Sequence, residues 1–148
     1  DSAQIPATLF KKLTELFTVK QFRELFPPAP ENLDYFPEVC LYGEGYGPKI
    51  QNGGKYKSEV DFVLFDIKIG HWWLKRGDVV DIAVKLGIMV VPIIGRGTLS
   101  DMEELCNYGF ESQWGDFMAE GIVARPRIEL RDRAGHRIIT KLKHSDFK

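Results

Sequence analysis

The sequence has no apolar run approaching the about 20 residues that span a bilayer as a helix. Nothing in it reads as a basic segment followed by the apolar core of a secretory signal. No membrane partner is expected. Cysteine is scarce: Cys40 and Cys106 cannot form a metal site by themselves, and neither belongs to a Cys-x-x-Cys pair. A reduced, cytoplasmic setting follows as the default, with one disulfide as the alternative. An excess of charge of one sign is missing as well, and the net charge of −1 leaves no global footprint for a polyanion. Internal repeats and low-complexity tracts are also lacking. The 148 residues suffice for one domain, 1–148, with a real hydrophobic core.

Charge is nevertheless concentrated locally. Residues 121–148 hold Arg125, Arg127, Arg131, Arg133, Arg137, Lys141, Lys143 and Lys148 against Glu129, Asp132 and Asp146. This local excess of positive charge points either to an anion site or to a solvated basic hairpin.

The spacing of Leu9, Phe10, Leu13, Leu16 and Phe17 predicts an amphipathic helix over 6–17, with Pro6 suited to its first turn. Thr18 and Gln21 form a capping box for a second helix to Phe26, which Pro27-Pro28-Ala29-Pro30 ends. Strands are predicted at 39–44 and 60–69, and a glycine-rich loop between them runs through Gly53-Gly54. Gly70 turns the second strand into one carrying Trp72 and Trp73. A helix over 78–86 and a short buried strand over 89–94 follow. Ser100 and Glu103 read as the capping box of a helix ending near Tyr108. The last strands are expected at 121–125, 128–130 and 137–143, the final two joined through Asp132-Arg133-Ala134-Gly135. Strands cluster without the regular helix alternation of a parallel sheet, so the expected fold class is α+β with mainly antiparallel sheets.

Several residues carry candidate chemistry. Lys141 and Lys143 stand two apart, which in a strand puts both ammonium groups on one face, continuing the apolar stripe of Ile139. Two lysines are a costly way to face a core and suit an anion-filled cleft instead. Glu120 heads an apolar strand with Ile122 and Ala124 on its face, where a carboxylate could help hold a divalent metal. Glu44 lies in Gly43-Glu44-Gly45; its oxygens suit ribose hydroxyls, and the flanking glycines would let a ligand approach the backbone. The alternative is a glutamate in a flexible hairpin. Phe65 alternates with Val63 and Ile67, so it reads either as core or as a base-stacking platform. His71, beside Trp72-Trp73, reads as a packed hairpin residue before it reads as a base.

In this order, Tyr42-Gly43-Glu44, Leu64-Phe65-Asp66-Ile67, Glu120-Gly121-Ile122-Val123 and Lys141-Leu142-Lys143 resemble the later motifs of the covalent nucleotidyltransferases. That superfamily comprises DNA ligases, RNA ligases and capping guanylyltransferases. Leu41-Tyr42-Gly43-Glu44-Gly45-Tyr46-Gly47, with Lys49-Ile50-Gln51 after it, is most similar to the ATP-dependent RNA ligases. The resemblance implies ATP as cofactor, AMP as a covalent intermediate on lysine, Mg2+, and RNA with 5′-phosphate and 3′-hydroxyl ends as substrate. It implies further that Glu44 contacts the ribose, Phe65 stacks on adenine, Glu120 is the metal-associated carboxylate, and Lys141 and Lys143 contact the α-phosphate.

The resemblance also requires a nucleophilic lysine in a Lys-x-Asp-Gly motif, and the sequence contains none. Lys75-Arg76-Gly77-Asp78 has the wrong order and lies between later motifs. Lys11, Lys12 and Lys20 sit on predicted helices, where nothing lowers the amine pKa. The chain is therefore expected to be the C-terminal majority of a ligase nucleotidyltransferase domain. It would lack an N-terminal segment carrying the nucleophile and be inactive alone, in the cytoplasm or, if phage-encoded, the host cytoplasm. The alternatives are a non-catalytic nucleotide- or RNA-binding module on the same fold, and a DNA ligase fragment.

Overall fold

The computed structural model describes residues 4–50 and 58–148, so the expected loop through Gly53-Gly54 lies outside the described residues. The fold is α+β with mainly antiparallel strands, as the clustering of strands implies. The chain forms two compact units, Asp1–Val91 and Pro92–Lys148. No helix among the described residues is long and apolar enough to cross a membrane.

The first unit contains α1 (Ala7–Leu16), α2 (Val19–Leu25), β1 (Val39–Tyr46), β2 (Asp61–Ile69), β3 (Trp72–Trp73), α3 (Arg76–Leu86) and β4 (Met89–Val90). The Thr18 hydroxyl accepts from the Gln21 backbone N–H, and the Gln21 side chain accepts from the Thr18 N–H, which is the expected capping box. β2 is central. β1 pairs antiparallel along one of its edges; on the other, β3 pairs antiparallel at Lys68–Ile69 and β4 parallel at Val63–Leu64. The strand expected over 89–94 stops at Val90, because Pro92 has no N–H to continue a ladder.

One face of this sheet is the core. Phe62, Leu64 and Ile67 of β2 pack with Phe26, Val79, Ala83, Leu86 and Ile88, and Leu13, Leu16, Phe17 and Phe22 of the first helical segment close over them. Phe62, Leu64 and Ile67 cannot all share a face under strict alternation. The register explains it: Tyr42 pairs with Asp66 and Gly43 with Leu64, so Phe65 is an extra residue in a β-bulge. Phe65 is therefore not a core residue alternating with Val63 and Ile67, and it is absent from the buried cluster.

The second unit contains α4 (Leu99–Tyr108), β5 (Gly121–Ala124), β6 (Thr140–Lys143) and a terminal 3₁₀ turn, His144–Phe147. The cap of α4 is Thr98 with Asp101, two residues before the expected Ser100–Glu103 pair: the Thr98 hydroxyl accepts from Asp101 N–H, and Asp101 Oδ2 from Thr98 N–H. Both pairs fit the spacing, and the earlier one wins. α4 packs on the β5–β6 ribbon, where the buried Cys106 thiol donates to the Leu142 carbonyl at 3.7 Å. The expected strand at 128–130 does not form; residues 125–139 pair only through an isolated Arg131–Arg137 bridge and a turn at Asp132–Gly135. Cys40 and Cys106 are both free thiols.

Candidate active site

β5 and β6 pair antiparallel with Gly121 opposite Lys143 and Val123 opposite Lys141. The strands approach closely at Gly121, where an added Cβ would lie 2.0 Å from the Leu142 carbonyl oxygen and 2.7 Å from Lys143 Cα. Only glycine fits such an approach. Lys141 and Lys143 share one face, as their spacing requires, and both reach the same carboxylate oxygen. Lys143 Nζ lies 2.8 Å and Lys141 Nζ 3.6 Å from Glu120 Oε1.

Glu120 was expected to lie on the face of Ile122 and Ala124. It instead precedes the strand, so alternation does not bind it, and its carboxylate turns to the lysine face. Its backbone carbonyl accepts from the His144 N–H at 2.9 Å, which ties the carboxylate-bearing residue to the segment that follows Lys143. His144 Nδ1 lies 2.7 Å from the Cys106 carbonyl oxygen, and Lys143 N–H donates to Asp146 Oδ2 at 2.9 Å. The end of the ribbon that carries Glu120 and Lys143 is thus fixed to α4 and to the terminal turn.

The hydrogen bond from Lys143 and the charge of Lys141 hold the Glu120 carboxyl below the ordinary carboxylate range. Reciprocally, the bond to Glu120 and its charge raise the Lys143 ammonium above the ordinary lysine value. Glu120 and Lys143 are therefore both charged at neutral pH. All three side chains are substantially exposed, Glu120 at 61%. An incoming anion can reach them without a large rearrangement.

No group of three or more His, Cys, Asp or Glu side chains that could hold a metal occurs among the described residues. Magnesium needs no such cage, because it keeps several waters and is bound by one or two carboxylates together with substrate phosphates. Glu120, 61% exposed, is a carboxylate of the kind such a partial role needs.

Glu44 and Phe65 belong to the first unit. Glu44 is exposed on β1, opposite Val63, on the face away from the helices. Its flanking glycines are required by packing. A Cβ on Gly43 would strike the Phe62 ring at 2.2 Å, and one on Gly45 would strike Leu9 at 2.2 Å. Tyr42, two residues along the same strand face as Glu44, packs on Trp73 with ring centroids 4.8 Å apart and the planes inclined at 45°. Lys68 Nζ stands 5.9 Å from the Trp73 centroid. Sequence reading missed this Tyr42–Lys68–Trp73 group, because only strand register shows that three strands bring it together. His71 lines a small cavity of about 190 Å³ beside it, with Glu38, Cys40, Tyr42, Lys68 and Gly70.

The family profile for RNA ligase matches residues 6–143. The chain belongs to the RNA ligase family. The match runs through both compact units and takes in Glu44, Phe65, Glu120, Lys141 and Lys143. No curated protein matches the chain.

Proposed function

We propose that this chain is part of an ATP-dependent RNA ligase and contributes the phosphate-binding side of its nucleotidyltransferase domain. The observation that carries the reading is the convergence of Lys141 and Lys143 on Glu120, in a chain that belongs to the RNA ligase family. In this reading Glu120 holds the two ammonium groups in place until a nucleotide arrives. The lysines then exchange the carboxylate for the α-phosphate of ATP and stabilise the charge that builds on its oxygens during transfer. Glu44 accepts the ribose hydroxyls, and Phe65, set apart from the core by its bulge, stacks on adenine. Glu120 would also contribute one ligand to Mg2+, which when bound withdraws charge from the phosphate oxygens.

The reaction runs in three displacements. A lysine amine attacks the α-phosphorus of ATP; a P–N bond forms, the bond to pyrophosphate breaks, and the amine loses a proton. A 5′-phosphate oxygen of RNA then attacks the same phosphorus and releases the lysine. Finally the 3′-hydroxyl oxygen of the second RNA end attacks the 5′-phosphorus, and AMP leaves. No Lys-x-Asp-Gly motif occurs in these 148 residues, so we assign the nucleophile to a segment outside them, and residues 1–148 to the larger part of one nucleotidyltransferase domain.

The test is intact-protein mass spectrometry after incubation with ATP and magnesium, on this chain and on the coding sequence extended upstream. An adenylate on the extended form alone is the expected result, and Lys141→Ala in that form should abolish it. No adenylate on either form would favour a non-catalytic nucleotide- or RNA-binding module, for which the missing nucleophile motif speaks. An adenylate on the 148-residue chain would show that its nucleophile lies within.

A further inference from the structure

Residues 125–139 join β5 to β6 at the end of the ribbon away from Glu120, since β5 runs from Gly121 to Ala124 and β6 returns to Lys143. Every residue from Arg127 to His136 is exposed. The segment is nonetheless ordered by its own bonds. Ile138 N–H donates to the Leu130 carbonyl at 2.9 Å, and Asp132 N–H to the His136 carbonyl at 2.8 Å. Gly135, at φ +86°, closes the turn with its N–H on the Asp132 carbonyl.

Both carboxylates of this hairpin are committed inside it. Asp132 Oδ1 accepts from the backbone N–H groups of Ala134 at 2.9 Å and His136 at 2.8 Å, while Oδ2 lies 3.0 Å from His136 Nδ1. Glu129 takes the Arg137 guanidinium in a two-pronged pair at 2.6 and 3.0 Å. Against these two acids stand Arg127, Arg131, Arg133 and Arg137. Arg131 and Arg137 occupy directly opposing positions, and Glu129 offsets the charge of Arg137. Arg127 and Arg133 take no part in the bonds that order the turn. An ordered hairpin whose tip from Arg127 to His136 is exposed, with more guanidinium than its own acids pair, is a poor solution for stability alone. It is a good one for a row of phosphates, which the planar guanidinium fork matches.

We propose that this arginine hairpin grips the phosphate backbone of the RNA substrate, several nucleotides from the end at which Lys141 and Lys143 act. The proposal rests on the ligase reading above. The choice of RNA follows from continuity, because the ribbon whose strand β6 carries Lys141 and Lys143 carries the arginines in the connection at its far end. β5 has four residues, a length of roughly 13 Å at about 3.4 Å per residue. That separation places the arginines on the body of the strand rather than on its reacting terminus.

The test is fluorescence anisotropy of the 148-residue chain with a labelled RNA oligonucleotide across a salt series, for the parent, Arg127→Ser/Arg133→Ser and Arg127→Lys/Arg133→Lys. Each phosphate contact contributes about 0.7 to 0.9 to the slope of log affinity against log salt, so the serine variant should show a slope shallower by about 1.5. The lysine variant should keep the parent's slope, which a merely structural role of the arginines would not produce. A serine variant with the parent's affinity and slope overturns the proposal. So does binding to phosphatidylserine vesicles in place of RNA, an outcome that Ile128, 74% exposed among the arginines, makes worth measuring. Adenylation of the upstream-extended parent chain needs no RNA and is scored separately. Its absence sinks the ligase reading, whereas adenylation with an unresponsive serine variant sinks the hairpin alone.

Discussion

Among residues 1–91, eight side chains from Phe26 to Ile88 form one buried cluster, whereas among residues 92–148 only Cys106 and Ala124 are buried hydrophobic residues. The first unit is held by area removed from water. The second is held by named polar bonds: the Thr98–Asp101 cap, the Asp132 turn, the Glu129–Arg137 pair, the His144–Cys106 contact and the Glu120–lysine cluster. The difference teaches where chemistry can be placed. Charged groups cannot be buried cheaply, so the unit that gathers Glu120, Lys141 and Lys143 on one ribbon has less core. Its structure then depends on conditions that leave the first unit indifferent.

The largest test of this contrast is Leu64→Ala in the first unit. Leu64 is fully buried, and the cavity left behind should cost about 2–5 kcal/mol in urea unfolding. Hydrogen exchange should report the loss in residues 1–91 first. Next is Gly121→Val. With a Cβ placed 2.0 Å from a backbone oxygen, the β5–β6 pairing must shift, at about 1–3 kcal/mol. Faster exchange confined to residues 92–148 is expected, and equal loosening of both units would erase the distinction drawn here. The smallest effect concerns acid. Because its folded-state pKa is lowered, Glu120 contributes stability that is present above about pH 4.3, its unfolded value, and lost as pH falls through the folded one. The groups are exposed, so salt should screen the effect. Glu120→Gln should remove this acid-dependent part from the second unit and leave the first unit's pH profile as it was.

Most of the elements were legible. Helical spacing located α1 and α3, Thr18 with Gln21 located α2, and the paired lysines announced their common face. The failures have local causes. Thr98 and Ser100 both satisfy a capping rule, and spacing alone does not choose between them. Residues 128–130 alternate like a strand but find no partner beyond a single bridge. Glu120 escaped its expected face because it sits one residue outside the strand whose alternation was applied to it. The glycines beside Glu44 were given to a ligand although Phe62 and Leu9 claim their space. That competition is tertiary and leaves no mark in the local sequence.

Phe65 left a mark that could have been read. With it removed, β2 becomes Asp-Phe-Val-Leu-Asp-Ile-Lys-Ile, in which every second residue is apolar and core-facing without interruption. The strand is therefore two half-strands in phase, with one guest between them. Deleting the guest would repair the rhythm of the sheet and leave its hydrophobic side unchanged. A residue that the sheet accommodates by breaking step, and does not need for its own cohesion, is free to be chosen by something outside the sheet.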